Sequence, residues 1–219
     1  MINMIQTCSA VPIYTEHRGI IDISKRWYNG KVISISFLDG SEKLQSKVLD
    51  IASIWTRYAN LSFERIHRFG DIRITFKSGG SWSYVGTDSI GISKLEPTMQ
   101  LGWLTEETPH DEFKRVVLHE FGHALGLLHE HQNPNGGIKW NAPKVMEYYR
   151  SSQGWSDEYI ITNVLNLAPN SNYLIDKFDE KSIMLYPVSS ELTLDGYSTT
   201  WNSDLSQGDV QLIQKMYPK

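Results

Sequence analysis

Cysteine is almost absent from this sequence: Cys8 is the single one among 219 residues, so no disulfide can form within the chain. No run of 18 or more apolar residues occurs, which excludes a membrane-spanning helix. An excess of basic charge is also missing. With 21 Lys and Arg against 25 Asp and Glu the formal net charge is −4, and there is no basic field to draw nucleic acid or an anionic lipid surface. Low-complexity tracts are lacking too, and 40% hydrophobic against 21% charged residues describes an ordinary globular protein able to bury a substantial core. The first residues, Met1 to Cys8, have neither a basic start nor a continuous apolar run and do not read as a signal peptide. Three routes stay open: an intracellular protein, export without a cleavable leader, or a mature bacterial product whose leader is not part of this sequence.

Histidine, by contrast, is concentrated. Four of the seven lie in the stretch His119-Glu120-Phe121-Gly122-His123-Ala124-Leu125-Gly126-Leu127-Leu128-His129-Glu130-His131, which no amphipathic packing pattern requires. Residues i and i+4 share a helix face with Cβ atoms roughly 5 to 6 Å apart. His119 and His123 can therefore present two imidazole nitrogens to one Zn²⁺ at about 2.0 to 2.1 Å. Glu120, one step round the helix, is poorly placed as a ligand but well placed to take a proton from a water held by that ion. Gly126 lets the backbone turn sharply through a left-handed conformation, and that turn can return His129 as a third ligand. Three protein ligands and one open position make a catalytic zinc site, whereas a structural site is closed by four. The competing reading is a surface helix with satisfied histidines.

Periodicity supplies the frame. Val32 to Leu38 alternates with period two and predicts a strand with Ile33, Ile35 and Phe37 on one side. Leu44, Val48, Ile51, Trp55 and Tyr58 recur at helical spacing and predict an amphipathic helix over 42–59. Asp71 to Phe76 alternates again, so strand, helix and strand predict a crossover unit with parallel pairing. Pro97 to Gly102 is a short candidate strand, and Thr108-Pro109 a plausible N-cap with Pro at the first helical position for a helix running to about Leu125. Downstream, Asn141 and Ser156 can cap helices to about Ser151, ending near Gly154, and to about Leu165; Ser206-Gln207-Gly208-Asp209 opens a final helix that buries Val210, Ile213 and Tyr217. No linker separates the halves. The expectation is one α+β domain in two lobes, an α/β upper lobe of about 26–130 and a lower lobe of about 131–219, with zinc between them and residues 1–25 as an N-terminal arm or propeptide-like segment. In that arm Cys8 is either a small packed residue or a thiolate that reaches the zinc and holds the enzyme latent.

The long histidine motif resembles the metzincin metalloendopeptidases, whose other hallmark is a methionine-containing turn beneath the metal; Ser182-Ile183-Met184-Leu185-Tyr186 fits that turn. Glu130 after the third histidine and Tyr186 two residues past the methionine resemble the astacin-like branch, as does Ser81-Trp82-Ser83-Tyr84-Val85-Gly86. The resemblance covers roughly residues 26–218. It implies a single-domain fold with a twisted mixed sheet, a long zinc-ligand helix, the Met-turn and a C-terminal helix. It further implies one catalytic Zn²⁺ on His119, His123 and His129, with Glu120 as general base. Tyr186 would be both a fifth ligand through its phenolate and a donor to the oxyanion, and Met184 a hydrophobic floor. His131 would lie behind the ligands or at the surface. The implied activity is hydrolysis of peptide bonds in an extended protein or peptide substrate pairing antiparallel with an edge strand at Thr98 to Leu101. The implied protein is a secreted, bacterial-type monomer that needs neither nucleic acid nor membrane. Three departures stand out: Ser81 replaces a disulfide cysteine, Leu185 replaces a histidine that is not a ligand, and the mature N-terminal amine that pairs with the equivalent of Glu130 in this family cannot be identified in the sequence. The alternatives are a matrixin-like enzyme without a tyrosine ligand, a latent or zinc-dependent binding protein blocked by its arm, and a protease effector or toxin acting on few proteins.

Overall fold

A computed structural model of the chain describes residues 8–11 by their backbone, and residues 22–167, 174 and 177–219 in full. The remainder of the arm, residues 1–7 and 12–21, and the Cys8 side chain lie outside the described residues. In chain order the strands and helices are β1 (Cys8–Val11), β2 (Val32–Phe37), α1 (Glu42–Thr56), β3 (Ser62–Arg65), β4 (Ile72–Thr75), β5 (Ser81–Tyr84), β6 (Met99–Leu101), α2 (His110–Ala124), α3 (Ala142–Gln153), α4 (Asp157–Ile160) and α5 (Gln207–Met216). A π-helical turn, Ile161–Leu165, continues α4.

One six-stranded mixed sheet has the order β1-β5-β6-β4-β2-β3. The crossover expected from the alternating and helical patterns is present: β2 and β4 are parallel, with Ile35 opposite Ile72. Ser41 caps α1 by accepting the Leu44 N–H, and Leu44, Val48, Ile51 and Trp55 turn inward against the sheet. The sequence reading missed β3, which is parallel to β2 at the far edge. Its only half-buried residue is Phe63, so it carries no period-two signal. β4 departs from the expected alternation, since all four of its residues are buried. Arg73 is tolerated there because its guanidinium donates to the carbonyls of Gly70, Asp71, Ser89, Ile92 and Glu96.

The expected edge at Thr98 to Leu101 is not an edge. β6 lies between β4, to which it is parallel, and β5, to which it is antiparallel. Outside it stands β5, and β5 is itself covered by the arm, whose β1 runs parallel to it with Cys8 opposite Ser81. The physical reason is that a three-residue strand displays its hydrogen-bonding partners nowhere in its own sequence.

A main core joins the inner faces of the sheet to α1, α2 and α5, and a smaller one under α3 and α4 gathers Val145, Tyr149, Ile160, Val164 and Leu192. The main core runs across both halves of the chain, since Ile183, Met184, Tyr186 and the α5 residues Leu212, Ile213 and Met216 belong to it. α3 ends at Gly154 and α4 begins at Ser156, whose hydroxyl accepts the Tyr159 N–H, as the sequence predicts. Ser206 and Asp209 form a reciprocal capping box at the start of α5. The start of α2 differs by a residue. Pro109 occupies the cap without a side-chain bond, and Thr108 instead accepts the Thr105 N–H.

Candidate metal centre

α2 is the central element of the site, and every residue from Arg115 to Ala124 is buried. It is clamped to α1 by the Trp55 indole N–H, which donates to the Leu118 carbonyl at 3.0 Å. One turn further along the helix, Gly122 is needed for a close approach. A Cβ there would stand 2.4 Å from the Met184 sulfur, so the methionine is packed directly on the helix backbone between the first two histidines' turns.

The end of α2 is fixed from several directions. Gly126 has φ +102°, and the Leu127 N–H reaches back to the Gly122 carbonyl at 2.9 Å, closing the helix. Carbonyls left over at this end are satisfied by the chain's two extremities: Trp27 donates its indole N–H to Ala124, and the Tyr217 hydroxyl donates to Leu125. The turn directs the Leu127 carbonyl onto His123 Nδ1 at 2.9 Å. The loop that follows brings His129 back beside its neighbours.

Three nitrogens converge. His123 Nε2 is 3.2 Å from His119 Nε2 and 3.1 Å from His129 Nε2. Four tetrahedral positions at the usual zinc–nitrogen distance are separated by about 3.3 Å. His119 Nδ1 faces the Ile183 carbonyl at 2.8 Å, as His123 Nδ1 faces that of Leu127. A nitrogen facing a carbonyl must carry the proton, so both Nε2 atoms present lone pairs to each other, an arrangement that repels unless a cation is shared. Among the described residues, this is the one group of three His, Cys, Asp or Glu whose ligand atoms lie within 4.8 Å of one another. Burial, and then the neighbouring imidazoles, hold His119 and His129 well below the ordinary histidine value; burial takes His123 down to about 4. The residues therefore fit a zinc ion: neutral imidazoles, correctly spaced, with the rings of His119 and His123 oriented by backbone acceptors.

Of the other sequence-predicted residues, Tyr186 and His131 pack beside these three. Glu120 is fully buried on α2. Tyr186 lies against the ligand rings, its centroid 4.3 Å from His129 and 5.9 Å from His119. His131 is not at the surface. Its ring stacks on Tyr186 at 4.9 Å, and its Nε2 meets the Asn163 carbonyl of the π-helical turn at 2.8 Å. Glu130 turns away from the histidines. Its carboxylate accepts from Asn133 and from the Asp179 N–H, burial pushes it up to about 8, and it borders a cavity of about 220 Å³ with Asp179, Ser182 and Asp209. Cys8 is placed only by its backbone, on β1. Sequence reasoning did not anticipate the parts played by Ile183 and Leu127, because they act through carbonyls that any residue carries. Nor did it find the role of Asn163, which depends on a π-helical turn that caps do not announce.

Comparison with known proteins points one way. The model of the astacin peptidase family matches residues 19–218. Among curated proteins, zinc metalloproteinase nas-27 of Caenorhabditis elegans is 24% identical over 140 residues, 64% of this chain and 26% of that protein, so the chain spans about a quarter of that relative's length. Among solved structures, one of myroilysin is 40% identical, covering 92% of this chain and 99% of that one with a TM-score of 0.89. A crystal structure of myroilysin is 38% identical over 98% and 91%, with a TM-score of 0.74. The hatching enzyme HCE-1, a zinc-protease of the medaka Oryzias latipes, is 16% identical over 92% and 98% with a TM-score of 0.58, a likeness of fold alone.

Proposed function

The chain belongs to the astacin family of peptidases, and on that footing we propose that it is a zinc-dependent endopeptidase whose catalytic domain is residues 26–219, preceded by an arm of residues 1–25. The observation that carries the reading is the convergence of three neutral imidazole nitrogens, His119, His123 and His129, within 3.1 to 3.2 Å along the two measured sides. Zinc bound there supplies Lewis acidity, which acidifies water and polarises a carbonyl.

The chain's own residues do the rest. Glu120, fully buried on α2, takes the proton of the attacking water and delivers it to the leaving amine. Tyr186, packed against His129, would be a further ligand through its phenolic oxygen at rest and, once off the metal and protonated from solvent, would donate its hydroxyl to the carbonyl oxygen as negative charge develops there. Met184, against Gly122, is the floor that keeps the ligand helix and the turn at Ser182–Leu185 in register.

Substrate is an extended protein or peptide. Its rail is β5, the strand whose outer side the arm now covers. The full chain is accordingly the latent form, and the Cys8 thiolate is its extra ligand; β1 pairing along β5 supports that reading. The enzyme works as a monomer outside the cell, as a secreted bacterial-type member without the family's disulfide cysteine at Ser81, and no helix among the described residues is long and apolar enough to cross a membrane. The mechanism is tested by Glu120→Ala in the chain freed of residues 1–20. We expect the variant to keep its fold and one zinc while losing at least about a hundredfold in proteolysis; turnover retained in clean protein would refute the mechanism.

A further inference from the structure

Asp209 stands at the third position of α5, 27 residues beyond Ser182 in the turn that carries Met184, and it is almost wholly buried. As part of the capping box it accepts the Ser206 N–H at 2.9 Å. That local task uses only part of its capacity. The same oxygen accepts the Ile183 N–H at 2.8 Å, and the other accepts the Ser182 hydroxyl at 2.7 Å. All three contacts are donated to it, as an ionised carboxylate requires.

Ile183 connects this carboxylate to the metal centre. Its N–H faces Asp209, and its carbonyl accepts from His119 Nδ1 at 2.8 Å. The Ser182 hydroxyl in turn accepts the Met184 N–H at 3.0 Å, and the Met184 carbonyl accepts the N–H of Glu130, the residue after His129, at 3.0 Å. One buried charge thus fixes both carbonyls that the turn offers to the ligand-bearing segments. A metal-binding histidine ordinarily has its second nitrogen held by a carboxylate or a carbonyl, and loss of that partner weakens metal affinity by about 10- to 100-fold.

We propose that Asp209 is a positioning residue for the zinc site, acting on His119 through the backbone of Ile183 and on His129 through Ser182 and Met184. It touches neither metal nor substrate. Hydrogen bonds in such a chain polarise one another, so the carboxylate both aims the Ile183 carbonyl and strengthens it as an acceptor. The inference rests on the reading of His119 as a zinc ligand.

The test uses the full chain, freed of metal by a chelator and titrated with zinc in competition with a chromophoric chelator. Asp209→Asn should raise the zinc dissociation constant by about tenfold or more and shift the electronic spectrum of the cobalt-substituted protein. Ser206→Ala is the control: it removes the hydroxyl that accepts the Asp209 N–H and donates to Asp179, but leaves Asp209 joined to the turn. It should lower thermal stability while leaving zinc affinity and the cobalt spectrum as in the parent. A dissociation constant for Asp209→Asn within about twofold of the parent, or an equal rise in Ser206→Ala, overturns the proposal. If Asp209→Asn does not fold, Ser182→Ala carries the test, since it removes one of the three donors; a rise of about threefold supports the proposal and an unchanged constant overturns it. A parent chain that takes up no zinc would overturn the three-histidine reading and this inference with it, whereas a parent that binds zinc no more tightly than Asp209→Asn overturns this inference alone.

Discussion

The Tyr186 ring is enclosed by three imidazoles: His129 at 4.3 Å, His131 at 4.9 Å and His119 at 5.9 Å between centroids. His119 and His131 lie within about 20° of parallel to it, at 19° and 20°, so the ring is guided within a narrow slot. Three histidines already complete a catalytic zinc set, so on the proposed mechanism the tyrosine is dispensable for holding metal but not for stabilising charge. In the arm-free enzyme Tyr186→Phe should keep its zinc and its KM while kcat falls by about 100- to 1,000-fold, the usual cost of losing one oxyanion donor. Steady-state kinetics on one peptide decide it, and a kcat within about threefold of the parent would favour a matrixin-like mechanism. At this scale the sequence was most readable. His119, Glu120, His123 and His129 declare themselves because i, i+4 spacing and one glycine are enough to bring their side chains together. His131 could not be placed in the same way, since what holds it is a carbonyl 32 residues away.

Elements are joined in this fold by buried polar side chains as much as by apolar stripes. Asp71 links β2 to the start of β4. Its carboxylate accepts the Ser34 N–H at 3.0 Å and pairs with Lys31 at 3.0 Å, while the Ser34 hydroxyl accepts the Asp71 N–H. Burial alone would raise its pKa, but the bond from Ser34 and the Lys31 ammonium outweigh burial and hold it below the ordinary aspartate value. A carboxylate whose folded pKa is depressed stabilises the fold fully above its unfolded value of about 3.9, and that contribution is lost as pH falls through the lower, folded one. Asp71→Asn should therefore cost about 1 to 2 kcal/mol at pH 7, with the gap to the parent narrowing as pH falls below about 4; urea unfolding at pH 7 and at successively lower pH measures it, and a pH-independent gap would contradict the linkage. The elements whose patterns were clear, β2, α1, α2 and α5, are those whose buried faces recur with a fixed period. β3 was obscure because it buries little of itself; β4 was legible as a strand, but not its burial on both faces, which Arg73 permits by finding five carbonyls for its guanidinium.

For the molecule as a whole, the arrangement of most consequence is the arm on β5. Strand order is a property of the assembled sheet, so a reading of local patterns put the edge strand at Thr98 to Leu101, whereas in the fold β5 stands outside β6 and β1 pairs along β5. If the arm keeps the enzyme latent, removal of residues 1–20 should raise casein hydrolysis by at least about tenfold, and Cys8→Ser should raise it in the same direction, because a blocked competent state is released in proportion to its population. Unchanged activity in both variants would remove latency from the account. α2 and the turn at Ser182–Leu185 meet at Gly122 and Met184, so one main core runs from the sheet through the ligand helix to that turn and α5. All of this depends on a zinc ion shared by three imidazoles. An anomalous difference map from crystals of the metal-replete chain, recorded at the zinc edge, tests it most directly. We predict one strong peak within bonding distance, about 2.0 to 2.1 Å, of Nε2 of His119, His123 and His129; no peak there, or a peak elsewhere in the molecule, would contradict the account.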